Sequence, residues 1–483
     1  MVSFESYEPV IGFECHVQLK TASKLFSTCK NQYGAGPNEL VDVVDLGLPG
    51  VLPTLNKQAV IFAIKLGLAL GCEIRKTSVF SRKHYFYPDL PKGYQISQFD
   101  KPICENGILT ILLNGQKKDI RITRIHIEED AGKNTHIEGS PESFVDFNRA
   151  GTPLLEVVSE PDIETAEEAA LAFKALRQIV MHLGICDGNM QEGSMRADIN
   201  VSVRKKGSKE LNTRTETKNL NSFKFLKNAV TFEFNRQVIE IESGNTIKQE
   251  TRLWDSNLKE SRSMRSKEDA HDYRYLPDPD LLPLVISDEL INSLKKDLIE
   301  LPLNKNFRYQ RDFGLSEYDA TILSNNKNLF DLFENAISLH NNPKVIANWL
   351  INEVLKTYKF SSEDDTDFIC PISANSIANL VKLIDTNIIS SSIAKKVFAF
   401  MVQDPSLSPQ QIIKDHDLAI STQNDLEDLI NQVITQNPLE VQGFKAGKDK
   451  LFGFLMGQLM KLSKGKIDPK KADELLRNKL QNQ

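Results

Sequence analysis

The sequence predicts an α+β protein in which an N-terminal part of mixed strands and helices is followed by all-helical domains. Three observations carry this. Up to about position 295, short runs of strand-like residues are bounded by turns dense in Pro and Gly. No regular alternation of strand and helix, as a doubly wound parallel sheet would need, runs through that part. Beyond Pro302 the apolar residues instead recur every three or four positions. At about 150 residues per domain, 483 residues suggest about three domains, and the changes of texture divide them as 1–295, 296–405 and 406–483.

In the first part strands are expected over 10–19, 108–113, 119–127, 154–158 and 199–203, with turns at 47–53 and 87–93. In the second, helices are expected over 343–357, 374–384 and 392–402, with the acidic stretch 361–366 as a surface loop between two of them. The last part holds a helix over 451–463, a break at Gly465 and a further helix opened by Asp468 and Pro469.

Composition narrows the class. Apolar residues make up 40% and charged residues 26%, which suffices for a core and a hydrated surface and excludes whole-chain disorder. The longest apolar stretch, 60–70, is broken by Lys65 and is far shorter than the roughly 20 residues of a membrane span. With no leader-like N-terminus either, a cytoplasmic location is expected. Of the six cysteines the closest two, Cys15 and Cys29, are fourteen positions apart, so no CxxC pair exists and most are expected to be buried thiols.

The net charge of −6 argues against a chain that wraps nucleic acid through bulk positive charge. It conceals a split: residues 444–483 hold ten basic and four acidic side chains, a local +6 against −12 for the rest. An acidic body with one basic arm is expected, the arm being the part able to meet phosphates.

Three segments carry chemistry. Within 13–19, strand alternation puts Phe13, Cys15, Val17 and Leu19 on one face and Glu14, His16 and Gln18 on the other. In 121–133, Glu129 shares a face with Ile125 and Ile127. In 151–161, Glu156 sits within a Leu and Val run, where a carboxylate must be paired or bound to a cation. Arg124 or Arg149 could supply a plain ion pair; alternatively Glu14, His16, Glu129 and Glu156 form an oxygen-rich set suited to Mg²⁺ or Mn²⁺. Glycine-rich phosphate loops, a GxSxG elbow and an HExxH pair are all missing, so any nucleotide is held by other means and covalent catalysis is not favoured.

Longer motifs are more specific. Segments 10–19, 47–53, 82–89, 92–100, 126–133, 146–156, 217–223, 272–280 and 453–461 together resemble the B subunits of tRNA-dependent amidotransferases, the GatB family, in order and spacing along essentially the whole chain. The resemblance implies a ligase subunit that works with a glutaminase A subunit and a small C subunit in a heterotrimer. It would use ATP and Mg²⁺ to phosphorylate the side-chain carboxylate of Glu-tRNA(Gln), Asp-tRNA(Asn) or both, then amidate it with ammonia channelled from the A subunit. It also implies an N-terminal catalytic domain built on an antiparallel sheet, similar to glutamine synthetase and the guanidino kinases, and a tRNA-contacting tail. By position it makes Glu14, His16, Glu129 and Glu156 catalytic metal ligands, with the register inside Glu128-Glu129-Asp130 open by one. Lys83 falls on the ammonia route, and Lys218, Asn219 and Asn221 are candidate ATP or phosphate contacts.

Two departures qualify the match. Relatives carry cysteine pairs for zinc around 27–48, whereas this chain has Cys29 alone there, so no zinc is expected and packing should hold the loop. Gln18 stands where an acid is common, which weakens a cation role there. Two rivals remain open at this level: a non-catalytic tRNA-docking scaffold, and a stand-alone ATP-dependent ligase for a small carboxylic acid.

Overall fold

The computed structural model describes residues 3–137, 139, 141–266, 273–358, 370–419, 423–463, 467 and 469–482. The acidic stretch 361–366, Asp272, Lys464, Gly465, Lys466 and Asp468 lie outside the described residues. The chain forms two compact units, Met1–Pro302 and Leu303–Gln483.

The first unit is organised by a nine-stranded sheet. Its strands are β1 (Tyr7–Gln18), β2 (Glu73–Ile74), β3 (Cys104–Leu113), β4 (Gln116–Glu129), β5 (Pro153–Ser159), β6 (Met195–Lys205), β7 (Thr215–Leu220), β8 (Glu250–Asp255) and β9 (Glu260–Ser266). They lie side by side in the order β9, β8, β7, β6, β1, β5, β4, β3, β2. Every neighbouring pair is antiparallel except β7 and β8, which run parallel. The expected antiparallel sheet is therefore mixed at one place. The reason is a helical crossover, Phe223–Glu242, between those two strands, the kind of return a parallel pair requires.

Three helices cover one face of this sheet: α1 (Lys57–Ala69), α2 (Ala166–His182) and α3 (Phe223–Glu242). Each is started by a polar side chain that accepts from otherwise unpaired amides: Asn56 from Gln58 and Ala59, Thr165 from Glu168, and Ser222 from Phe225. Their buried faces, including Ile64, Leu66, Phe173, Leu176 and Leu226, join Phe13, Cys15, Val17, Ile125, Ile127, Leu155, Val157, Ala197 and Ile199 in one core. These strand residues share one parity, so the intervening side chains emerge on the opposite face. That second face carries the candidate site.

A small sheet holds strand Ser81–His84 between Tyr94–Ser97 and Leu276–Pro277. The loop after β1 is braced by a buried ion pair: Lys24 Nζ lies 3.0 Å from Asp45 Oδ2, with 0% and 2% of the two side chains exposed. Lys24 also donates to the Leu40 carbonyl at 2.7 Å, Asn31 to that of Leu19, and Asn56 to that of Ser23. Charge pairing and amide hydrogen bonds thus add to the packing expected there, while Cys29 is only partly buried.

The second unit is helical. Its first core gathers Tyr309, Phe330, Phe333, Trp349, Leu380, Phe398 and Met401, and extends to Ile412 and Ile413 on helix Pro409–Asp415. A separate core runs from Leu426 to Leu480. The segment expected as one helix over 343–357 is Pro343–Trp349, a π turn at Leu350–Val354 and Leu355–Thr357. Helices Ala374–Asp385 and Ser391–Gln403 lie where the three- and four-residue spacing put them, and Lys450–Leu462 and Pro469–Asn482 where the start and stop signals put them. Among the described residues, no helix is long and apolar enough to cross a membrane.

Candidate active site

Strand register builds the site. On the face away from the helices, Arg196 of β6 lies opposite His16 of β1, His16 opposite Glu156 of β5, and Glu156 opposite His126 of β4. The four make a row across four adjacent strands. Two residues along β1, Glu14 lies opposite Asp198, and two residues along β4 from His126 stands Glu128. Register and alternation together bring these charges onto one face, because every second residue between them is buried in the helix-covered core.

The contacts are close. His16 Nε2 is 3.3 Å from Glu156 Oε2 and 3.7 Å from Glu128 Oε1. Atoms of His16, Glu128 and Glu156 all fall within 4.8 Å of one another, a grouping able to hold a metal ion. The donor set is one imidazole nitrogen and two carboxylate oxygens, which fits a hard or borderline divalent cation. His16 Nδ1 and His126 Nδ1 are buried without a hydrogen-bond partner among the described residues.

Electrostatics divide the carboxylates into two kinds. Burial pushes the Glu14 carboxyl up to about 8, and Glu156 beside it adds to the rise by charge and by a shared hydrogen bond. The raised value favours a proton on Glu14, beside Glu156. Burial would raise Glu156 too, but His126 and hydrogen bonds from His16 and Glu14 hold it well below the carboxylate range. Glu128 is likewise held low: burial and Glu156 oppose its charge, and His126 and Lys83 outweigh them. His16 is raised, burial acting against it and the Glu156 hydrogen bond prevailing.

A cavity of about 500 Å³ opens over this face. Its lining includes His16, Glu128, Asp130, Arg196 and Asp198 from the large sheet, Lys83 from the small one, and Lys218, Asn219 and Asn221 from β7 and the turn after it. Lys83 is half-buried, and desolvation lowers its proton affinity, yet Glu128 and neighbouring groups raise it overall. Lys218 forms ion pairs with Asp198 and, at 2.8 Å, with Glu216. Asn219 has a left-handed backbone, φ 69°, inside β7 where the pairing with β6 shifts register, and donates to the Trp254 carbonyl, so it shapes a bulge in the strand as well as facing the cavity.

Of the four residues expected as metal ligands, the structure gathers Glu14, His16 and Glu156 but not Glu129. The Glu129 carboxylate pairs with Lys92 and accepts from the Ile96 amide at 2.8 Å. Its parity with Ile125 and Ile127 turns it toward the helix-covered side of the sheet, and Glu128 takes the position facing His16. Within the acidic triplet it is thus Glu128, the alternative one residue earlier, that faces His16. Asp130 serves neither: Arg196 and Arg149 pair with it, and Gln18 donates to it at 3.1 Å.

Glu128 was expected only as the alternative register of the acidic triplet, and Arg196 and Asp198 were not among the expected site residues. The signal for them lay in alternation: Glu128 shares parity with Arg124 and His126, and Arg196 and Asp198 flank Ala197 in a strand whose other parity is apolar.

Comparison with known proteins places this geometry. Residues 9–292, which contain every cavity residue named above, match the model of the GatB/GatE catalytic domain, and residues 331–480 match that of the GatB domain. The chain belongs to the GatB family. Among its GatB relatives, the B subunit of the aspartyl/glutamyl-tRNA(Asn/Gln) amidotransferase of Thermodesulfovibrio yellowstonii is 50% identical over 471 residues, covering 97% of this chain and 98% of the relative. The proteins of the same description from Geobacter sulfurreducens and Trichlorobacter lovleyi are 50% and 51% identical over 480 and 475 residues, covering 98% of this chain and 99% of each relative. The similarity thus extends through both units of this GatB-family chain.

Proposed function

We propose that the chain is the ligase subunit of a cytoplasmic tRNA-dependent amidotransferase, acting with a glutaminase A subunit and a C subunit on Glu-tRNA(Gln), Asp-tRNA(Asn) or both. The observation that carries this reading is the row of His16, Glu156 and neighbouring charges on one sheet face, under a cavity large enough for reacting groups. Family membership supports the same chemistry.

In this reading the γ-phosphoryl group of ATP passes to a side-chain carboxylate oxygen of the aminoacyl-tRNA, and ADP leaves. Ammonia then attacks the activated carbonyl carbon, the bond from that carbon to the phosphorylated oxygen breaks, and phosphate and a proton leave, giving the amide. His16, Glu128 and Glu156, with Glu14 after loss of its proton, would hold Mg²⁺. When bound, the cation would supply charge neutralisation between the phosphates and the incoming carboxylate. Two anions otherwise repel, and a free carboxylate resists ammonia.

The residues of the chain have separate tasks. Lys218, held by Asp198 and Glu216, offers a fixed cation to a phosphate on the β7 side of the cavity. Lys83 stands on the small sheet, near enough to Glu128 to feel its charge, and lines the side by which ammonia would enter. Asn219 and Asn221 offer amide contacts at the same rim. An open sheet with cation-binding carboxylates resembles the plan of glutamine synthetase and the guanidino kinases, and accounts for nucleotide use without a phosphate loop. No zinc is part of this reading, since one thiol cannot build a tetrahedral sulfur site.

The test is to combine the chain with its A and C partners, glutamine, ATP, Mg²⁺ and Glu-tRNA(Gln), and to repeat with Glu156→Gln. Formation of Gln-tRNA(Gln) by the intact mixture and its loss in the variant are expected. An inactive intact mixture would sink the function, and a fully active variant would sink the site.

A further inference from the structure

Below the cation-binding group lies a second imidazole that the reaction just described does not use. His126 is 4% exposed, faces Glu156 directly across the β4–β5 pair and precedes Glu128 by two residues on the same face. Its Nε2 is 3.6 Å from Glu156 Oε2 and 3.6 Å from Glu128 Oε2. His16 approaches the same two carboxylates from β1, meeting Glu128 through Oε1, the other oxygen. Imidazoles and carboxylates therefore alternate around a four-membered ring.

The two histidines are not equivalent. His16 lines the cavity and belongs to the close group of ligand atoms, whereas His126 does neither. A bare Nε2 aimed at two carboxylates would be repelled by both, so that nitrogen carries the proton and is a donor. Nδ1 is then the bare nitrogen, and it is buried without a partner among the described residues. His16 meets the same two acids, but it opens to the cavity, from which a cation can displace its proton; His126, away from the cavity and outside the close group of ligand atoms, keeps its proton and is not a ligand for the same cation. It can fix the spacing and orientation of the acids that are ligands, as partners behind metal ligands commonly do.

We propose that His126 is a positioning residue whose Nε2–H is shared between Glu128 and Glu156 and sets their separation for the divalent cation. The inference rests on the cation site proposed above. Its consequence is a split between binding and turnover. Without the shared donor the two carboxylates swing apart, cation affinity falls about 10- to 100-fold, and the groups that meet ATP and tRNA stay where they are. Glutamine can put an amide N–H near the position of Nε2 and should restore part of the loss; leucine fills the space without a donor.

The experiment measures Mg²⁺ binding to the full-length chain by calorimetry, and Mg²⁺ activation of the assembled enzyme, for the wild type, His126→Leu, His126→Gln and Glu156→Gln. The expected result is a 10- to 100-fold weaker Mg²⁺ dissociation constant and a matching rise in half-activating Mg²⁺ for His126→Leu. The maximal rate at saturating Mg²⁺ should stay within about threefold, with His126→Gln intermediate in affinity. Unchanged Mg²⁺ affinity in both His126 variants overturns the positioning role while leaving the cation site intact. Wild-type affinity in Glu156→Gln, or no binding by the wild type, overturns the cation site itself. Should His126→Leu not fold, His126→Gln decides alone: Mg²⁺ affinity equal to the wild type, or a maximal rate reduced without a change in affinity, overturns the inference.

Discussion

Glu128 and Glu129 are adjacent in the chain, yet their carboxylates lie on opposite sides of strand β4: one faces His16 and the other pairs with buried Lys92. Neutralising each should therefore have a different kind of effect. Glu128→Gln removes a proposed cation ligand and is expected to lower amide formation by at least about 100-fold, with little change in melting temperature.

Glu129→Gln leaves the Lys92 ammonium, whose side chain is 8% exposed, without its partner. Removing one member of a buried pair costs about 3 kcal/mol or more, because the remaining charge is uncompensated. Denaturant unfolding should show this loss, while the half-activating Mg²⁺ concentration of the folded fraction should stay at the wild-type value. A variant with normal stability and weakened Mg²⁺ activation would return Glu129 to the site.

Glu14 makes stability depend on pH in a defined direction. Its carboxyl has an ordinary value of 4.5 and is raised to about 8 in the fold. Between those values the folded chain keeps a proton that the unfolded chain releases. Its contribution to stability is complete below the lower value and is lost as pH rises through the upper one. Glu156, Glu128 and Asp130, all held low, lose their contributions only in more acid solution. Melting curves from about pH 5 to about pH 8.5 without Mg²⁺ should thus fall more for the wild type than for Glu14→Gln. Mg²⁺ competes with that proton, so the rise in melting temperature it produces should grow over the same range. A wild-type curve parallel to that of Glu14→Gln would show that Glu14 does not hold the proton.

The Lys24–Asp45 pair makes a prediction about the loop around Cys29, where no zinc was expected. Lys24→Met leaves Asp45 buried without its counter-ion, and Asp45→Asn does the same to Lys24; each is expected to cost about 3 kcal/mol. The double variant Lys24→Met/Asp45→Leu should recover most of that loss, since an apolar pair can replace a buried ionic one. Strong chelators should leave the wild-type melting temperature unchanged. A drop on chelation, reversed by zinc, would show that Cys29 and its neighbours bind metal after all.

How much of this was legible in the sequence follows from what alternation reports. A period of two fixes which side chains share a face, so the division of Phe13, Cys15 and Val17 from Glu14 and His16 could be read directly, as could Glu156 between Leu155 and Val157. The same rule, carried one residue further along β4, separates Glu128 from Glu129. What alternation cannot report is which strands become neighbours. The row from Arg196 to His126 depends on β1 lying between β5 and β6, strands about 140 and 180 residues away in the chain, and no local pattern encodes that order. The parallel β7–β8 pair and the Lys24–Asp45 contact were hidden for the same reason, both being products of long-range closure.

The basic tail supplies the last prediction. Lys445, Lys448 and Lys450 are exposed around the turn between helices Pro438–Lys445 and Lys450–Leu462, and Lys471 is exposed on helix Pro469–Asn482. If these lysines meet tRNA phosphates, each such meeting releases a condensed counter-ion, and affinity should fall linearly on a logarithmic scale with salt. Removing one lysine–phosphate pairing should reduce that slope by about 0.7 to 0.9. The triple variant Lys445→Glu/Lys448→Glu/Lys450→Glu should therefore bind tRNA more weakly and with a shallower salt dependence than the wild type. ATP binding should be unaffected, because the cavity residues are all in the first unit. Filter-binding titrations of tRNA across about 50 to 300 mM salt, alongside nucleotide titrations, separate the two effects. Equal slopes for variant and wild type would mean that the basic arm is a solvated surface and that tRNA is held elsewhere on the chain.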